Sequence, residues 1–259
     1  MLTGAIAGVL AGLLGVGGGI VIVPVLFILF DFLNVPESVA MHIAVATSLA
    51  TIIPTSISSA TAHRKRGSID IALFKAWAPL IFIGAMVGGI VAKYLASSSL
   101  TIVFGSVALL VAVNMALPKK LVIAESLPQG PLARGLLPSF IGTFSALMGI
   151  GGGTLSVPIL SAFSTPIHRA VGTASAFGLI IAVPAVLGFI WAGQGVVDRP
   201  PFSLGFVNLP AAVLIFSASV FTAPLGARLA HSLNPEGLKK AFALFLFLTS
   251  IRMLWVALA

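Results

Sequence analysis

The chain has no cysteine. That excludes disulfides, thiolate nucleophiles and cysteine metal sites, though it says little about compartment for a chain without large loops. Charge is the next scarcity. Only 8% of the 259 residues are Asp, Glu, Lys or Arg, against about 25% in soluble domains, so no stretch remains that would make a soluble domain. Acids are rarest: Asp31, Glu37, Asp70, Glu125, Asp198 and Glu236 are all of them, and each falls at or near the end of an apolar run. A carboxylate relay buried in a membrane, the device of many pumps, has no candidate here. Phosphate-loop, zinc-helix and paired-aspartate patterns are absent too, so the reading is not an enzyme, with no cofactor and no metal. Met1-Leu2-Thr3 brings no basic region ahead of the first apolar run, which argues against a cleaved signal peptide.

What is abundant is apolar sequence: 59% of residues are hydrophobic and the mean hydropathy is +1.17. The runs exceed the roughly 20 residues needed to cross a bilayer and recur along the whole length. Eight apolar elements follow: 2–33, 38–62, 71–95, 99–117, 135–163, 169–193, 203–232 and 238–258. The net charge of +8 comes from basic residues scattered in the intervening turns, the pattern of positive-inside anchoring rather than of a nucleic-acid face. Nucleic acid is therefore no partner; the lipid bilayer is.

The sequence repeats itself. Gly15-Val16-Gly17-Gly18-Gly19, followed by Pro24, returns as Gly149-Ile150-Gly151-Gly152-Gly153, followed by Pro158. His42-x-Ala44-Val45-x-Thr47 returns as His168-x-Ala170-Val171-x-Thr173, each after a proline, Pro36 or Pro166. Further on, Gly88, Ala92, Leu95, Leu100, Phe104 and Met115 match Gly226, Ala230, Leu233, Leu238, Phe242 and Met253 at one constant offset. Two units, 1–117 and 135–259, joined by a polar linker, 118–134, account for all three blocks within one integral membrane domain.

Positive charge at His63 to Arg66, at Lys119-Lys120, and at Arg228, His231, Lys239 and Lys240 puts these turns on the inner face. Between the linker and the last of them lie three elements, so one of the three must turn back. The fifth is the natural one, folded at its glycines, with the first doing likewise. The fold class expected is all-α and polytopic, eight elements in two four-element inverted repeats, the first element of each broken or re-entrant at its GxGGG block.

A break of this kind bares amide groups, and in a bilayer these must be met by protein, water or ligand. A helix restarting after the break points its free N–H groups and the positive end of its dipole into the gap, which suits an anion. The candidate substrate-binding residues are therefore Gly15, Gly17, Gly18 and Gly19 with Gly149, Gly151, Gly152 and Gly153, joined by the hydroxyls of Thr47, Ser48, Thr173 and Ser175 that follow the repeated histidine block. His42 and His168 read as interface anchors before proton carriers, and Arg252 as a cation able to hold an anion.

The doubled G-x-G-G-G-x-x-x-x-P block, Ala46-Thr47-Ser48, Gly172-Thr173-Ala174-Ser175 and Leu225-Gly226-Ala227-Arg228-Leu229-Ala230 together resemble the TauE/SafE sulfite exporter family, also called the toluene sulfonate uptake permease family. The resemblance covers nearly the whole chain. It implies a multi-pass permease of the inner membrane for small sulfur-containing anions such as sulfite or organosulfonates, with both glycine blocks as the substrate vestibule. An anion channel and a non-transporting scaffold or assembly factor are the rival readings. The partners expected are a small anionic substrate and the bilayer, and assembly as a homo-oligomer is compatible with both.

Overall fold

The computed structural model describes residues 18–116, 124–125, 127, 130–219 and 235–258. Gly15, Gly17, Lys119-Lys120, Arg228 and His231 lie outside the described residues. Among the described residues nine α-helices can be followed: α1 (Gly19–Phe32), α2 (Glu37–Lys65), α3 (Ile71–Val91), α4 (Ser97–Ala116), α5 (Pro131–Met148), α6 (Gly152–Ala162), α7 (Ile167–Ala192), α8 (Leu209–Ser219) and α9 (Pro235–Leu258). Two helical predictions shift. Helix α5 begins inside the expected linker, because Pro131 occupies the first turn, where its missing N–H costs nothing. Residues 203–208, expected to open a helix, instead form an antiparallel hairpin of Ser203–Leu204 (β1) with Val207–Asn208 (β2), turned at Gly205.

Five helices are long and apolar enough to cross a membrane among the described residues: α2, α3 with the 3-10 turn that follows it, α4, α7 and α9. At 1.5 Å per residue α1 reaches about 21 Å and α6 about 16 Å, short of the roughly 30 Å hydrocarbon core. Both end alike. Asn34 and Ser164 turn the chain at φ 54° and 59°. Val35 N–H returns to the Phe30 carbonyl at 2.9 Å and Thr165 N–H to that of Leu160 at 3.0 Å, while Pro36 and Pro166 start the next helix. This is the left-handed C-terminal stop with proline just beyond it.

Close backbone packing fixes the directions. Gly84 and Gly88 of α3 press on Ser139 and Thr143 of α5, and Gly142 of α5 on Ile81 of α3, so the two helices run parallel. A Cβ on Gly88 would stand 2.6 Å from the Thr143 carbonyl oxygen; small residues are what let helices approach without hydrophobic drive in lipid. Helix α7 is parallel to α3 as well, with Phe177 stacked on Phe74 and Trp77 near one end and Gly188 against Gly89 near the other. Helix α6 turns back on α7 through Pro166, hence α5 and α6 fold against each other at the second glycine block. Helices α2 and α7 cross antiparallel, with Gly178 against Ser56.

Candidate functional site

The second glycine block is a break between helices. Gly149 ends α5 in the left-handed region at φ 68°, Ile150 carries the chain across, and Gly151, extended, precedes the first residue of α6, Gly152. The described part of the first block is a helix start: Gly18, at φ 73°, precedes α1. Neither Gly18 nor Gly151 has a side chain with which to accept from the first-turn amides, and both lie buried. Side chains that normally satisfy such amides are serine, threonine, aspartate or asparagine. Both helices thus start uncapped in the protein interior.

The start of α1 touches the second break. A Cβ on Gly19 would come within 2.6 Å of the Gly149 carbonyl oxygen and 2.8 Å of Ile150 Cα. Around this contact stand α2 and α7. A Cβ on Gly149 would lie 2.8 Å from Val45 Cα and 2.9 Å from a methyl of Val23, and one on Gly152 would meet the Ala174 carbonyl and, at 2.8 Å, the Phe177 Cβ. Gly153 follows in the first turn of α6 and forms part of the wall of a cavity of about 720 Å³.

The four hydroxyl candidates divide by partner. Ser48 donates to the Gly149 carbonyl at 2.7 Å and so ties α2 to the second break. Ser175 donates to Gly172 of its own helix at 2.7 Å. Thr47 and Thr173, both fully buried, accept from backbone: the Asn208 N–H at 3.0 Å and the Asp70 N–H at 2.9 Å. The acceptor role leaves each hydroxyl proton free. Asp70 and Asn208 are themselves helix caps, accepting from Leu73 N–H and Ala211 N–H, each at 3.0 Å. Reading the sequence missed this pair, although their spacing equals the offset of the third repeated block. Their cross-chain partners lie more than 100 residues away, which spacing alone does not reveal.

Three further hydroxyls, Ser145, Thr154 and Ser156, flank the second break, buried and without a hydrogen-bond partner. They too were missed, since one serine or threonine in an apolar run looks like any other.

The ionisable candidates lie elsewhere. Arg252 is committed to Asp31 at 2.9 Å on the exposed surface, which corrects the expectation that it holds an anion: the carboxylate at the end of α1 already occupies it. His42 is buried rather than interfacial. Its Nε2 lies 3.0 Å from the Ala92 carbonyl oxygen and its ring stacks on Phe206 of the hairpin at 4.8 Å. His168 is exposed. No cluster of three or more potential metal ligands occurs among the described residues.

Large apolar side chains face outward all round the bundle, Phe32, Leu110, Leu187 and Trp255 among them, each more than 60% exposed. A set of hydroxyls, Thr47, Ser48, Thr154 and Thr173 among them, is buried inside. Outward apolar surface on this scale has one solvent that suits it, lipid, and the fold is that of a multi-pass membrane protein with broken helices in its interior. Known proteins agree in class and add a family: the profile of the sulfite exporter TauE/SafE family matches residues 1–253, and the chain belongs to that family. A probable membrane transporter protein of Haemophilus influenzae is 39% identical over 256 residues, covering 98% of this chain and 96% of its own. One from Methanocaldococcus jannaschii is 27% identical over 250 residues, at 92% and 88% coverage. Another from Bacillus subtilis, YunE, is 27% identical over 281 residues, at 97% and 95%. No solved structure matches the chain. The protein is a membrane transporter.

Proposed function

We propose that this chain carries small sulfur-containing anions, sulfite or organosulfonates, across the inner membrane, binding them where the two glycine breaks meet. The observation that carries this reading is the contact between uncapped helix starts: Gly19 against Gly149 and Ile150. Amides in a first turn favour an oxyanion both by hydrogen bonding and by the helix dipole. The substrate class rests on the family name; the donor chemistry is compatible with it.

Residues 1–117 and 135–259 act as two inverted repeats. Support comes from three matched features: the positive-φ turns with Pro36 and Pro166, the breaks at Gly18 and Gly149, and the crossed bonds Thr47 to Asn208 and Thr173 to Asp70. Those bonds stand on either side of the Ser56–Gly178 crossing, about 13 Å and 8 Å from it along α2 and α7. Rocking of one repeat against the other would loosen them in turn and expose the midplane to each face alternately.

The test is flux in proteoliposomes. Uptake of labelled sulfite or of a simple organosulfonate such as methanesulfonate that saturates and shows counterflow is expected, with loss in Gly18→Leu and Gly152→Leu proteins that still fold. Wild-type levels of carriage by both variants would remove the glycine breaks from the mechanism.

A further inference from the structure

The two breaks are unequal in chemistry. In the positions of Ala11, Ile20 and Ile22 around the first block, the second block has Ser145, Thr154 and Ser156, and all three of these hydroxyls are buried without a partner. Three other helical threonines donate to the carbonyl one turn back: Thr101 to Ser97 at 2.8 Å, Thr249 to Phe245 at 2.8 Å, Thr55 to Thr51 at 3.0 Å. Thr154 sits in the first turn of α6, an 11-residue helix, and the carbonyl one turn back belongs to Ile150, inside the break. Its hydroxyl therefore has nothing local to bond. Thr154 is 4% exposed, and with Gly153 and Asn114 it lines the cavity of about 720 Å³, which opens to the outer surface beside Leu110 and whose wall includes Ile20, Phe140, Val171 and Phe242 and, among the described residues, no charged one.

We infer that the second break supplies the side-chain donor to the transported anion, that Thr154 is a specificity-determining residue donating its hydroxyl to it beside the first-turn amides of α6, and that the site selects monoanions over dianions. This rests on the anion-transport reading above. The selection follows from desolvation. The cost of taking an ion out of water rises with the square of its charge, so a dianion costs about four times a monoanion of the same size. Neutral donors in an apolar wall recover the smaller cost far better than the larger. A site for dianions calls for arginine or lysine in the wall, and the described residues of this wall include neither.

The experiment is a binding titration on the purified full-length chain, read by thermal stabilisation, with methanesulfonate as the monoanion and sulfate as the dianion at equal ionic strength. Methanesulfonate is expected to bind at least tenfold more tightly than sulfate. Thr154→Val is expected to lose at least tenfold of that affinity, Thr154→Ser to keep it, and the unliganded Thr154→Val protein to melt no lower than wild type, since an unpaired buried hydroxyl has been replaced by a methyl of the same shape. Sulfate binding as tightly as methanesulfonate, or Thr154→Val binding like wild type, overturns the inference. Flux of sulfur oxyanions that persists unchanged in Thr154→Val sinks this inference alone, whereas a wild-type protein that neither binds nor carries any of these anions sinks the transport reading with it.

Discussion

Substituting Gly149 by alanine sets two costs against a matched control in the same helix. The residue holds φ 68°, a conformation that costs an L-residue with a Cβ about 1–2 kcal/mol. The new methyl would also stand 2.8 Å from Val45 Cα and 3.0 Å from the Val45 carbonyl oxygen. Carbon atoms settle at about 3.5–4.0 Å, so α2 or the break must retreat by about 0.7 Å, and because the obstacle is backbone no rotamer change relieves it. Overpacking of this kind costs about 1–3 kcal/mol. Together the loss is about 2–5 kcal/mol, and the Ser48 bond to the Gly149 carbonyl, 2.7 Å, would be strained with it. At Gly135, in the body of α5, an added Cβ meets nothing within 4 Å, and alanine there gains up to about 1 kcal/mol of helix propensity. Thermal unfolding in detergent should therefore move in opposite directions for the two alanine variants, with flux lost only in Gly149→Ala. Equal melting and equal flux for the pair would refute the close apposition of α2 and the second break.

Thr47→Val and Thr173→Val each strand a backbone N–H at a helix cap, and unfolding measurements should show losses of about 1–3 kcal/mol apiece, with slowed counterflow; a change under about 0.5 kcal/mol in both would deny the crossed bonds. Ser48→Ala removes one donor to the Gly149 carbonyl and should cost about 1 kcal/mol, read in the same unfolding assay, while leaving Thr51, which bonds the Ser48 backbone carbonyl, undisturbed. Arg252→Ala removes a surface ion pair with Asp31 worth less than about 1 kcal/mol, and anion flux should be unchanged; a large drop in substrate affinity would return Arg252 to the site.

Several features were plain in the linear order of residues because their causes are local. Doubled glycines that break a helix, prolines that start the next one after Asn34 and Ser164, and apolar runs long enough for a bilayer all act within a few positions of themselves. The hairpin at 203–208 was not legible in this way. It exists because Asn208 finds Thr47 at 3.0 Å and Phe206 finds His42, and neither partner is in view from the segment itself. The same holds for Arg252, whose counterion stands at the other end of the chain.

Composition by itself determined that this is a membrane protein, and the twice-written glycine block marked where a helix would fail, since burial in lipid and the absence of a Cβ are properties of single residues. Only the tertiary structure decided that the start of α1 leans on the second break, that Thr47 and Thr173 hold backbone amides, and that Thr154, among the described cavity residues, carries a buried hydroxyl with no bond. The reason is physical: a hydrogen bond or a steric contact is fixed by which surfaces the packed helices turn toward one another, and that choice is made by the whole chain at once.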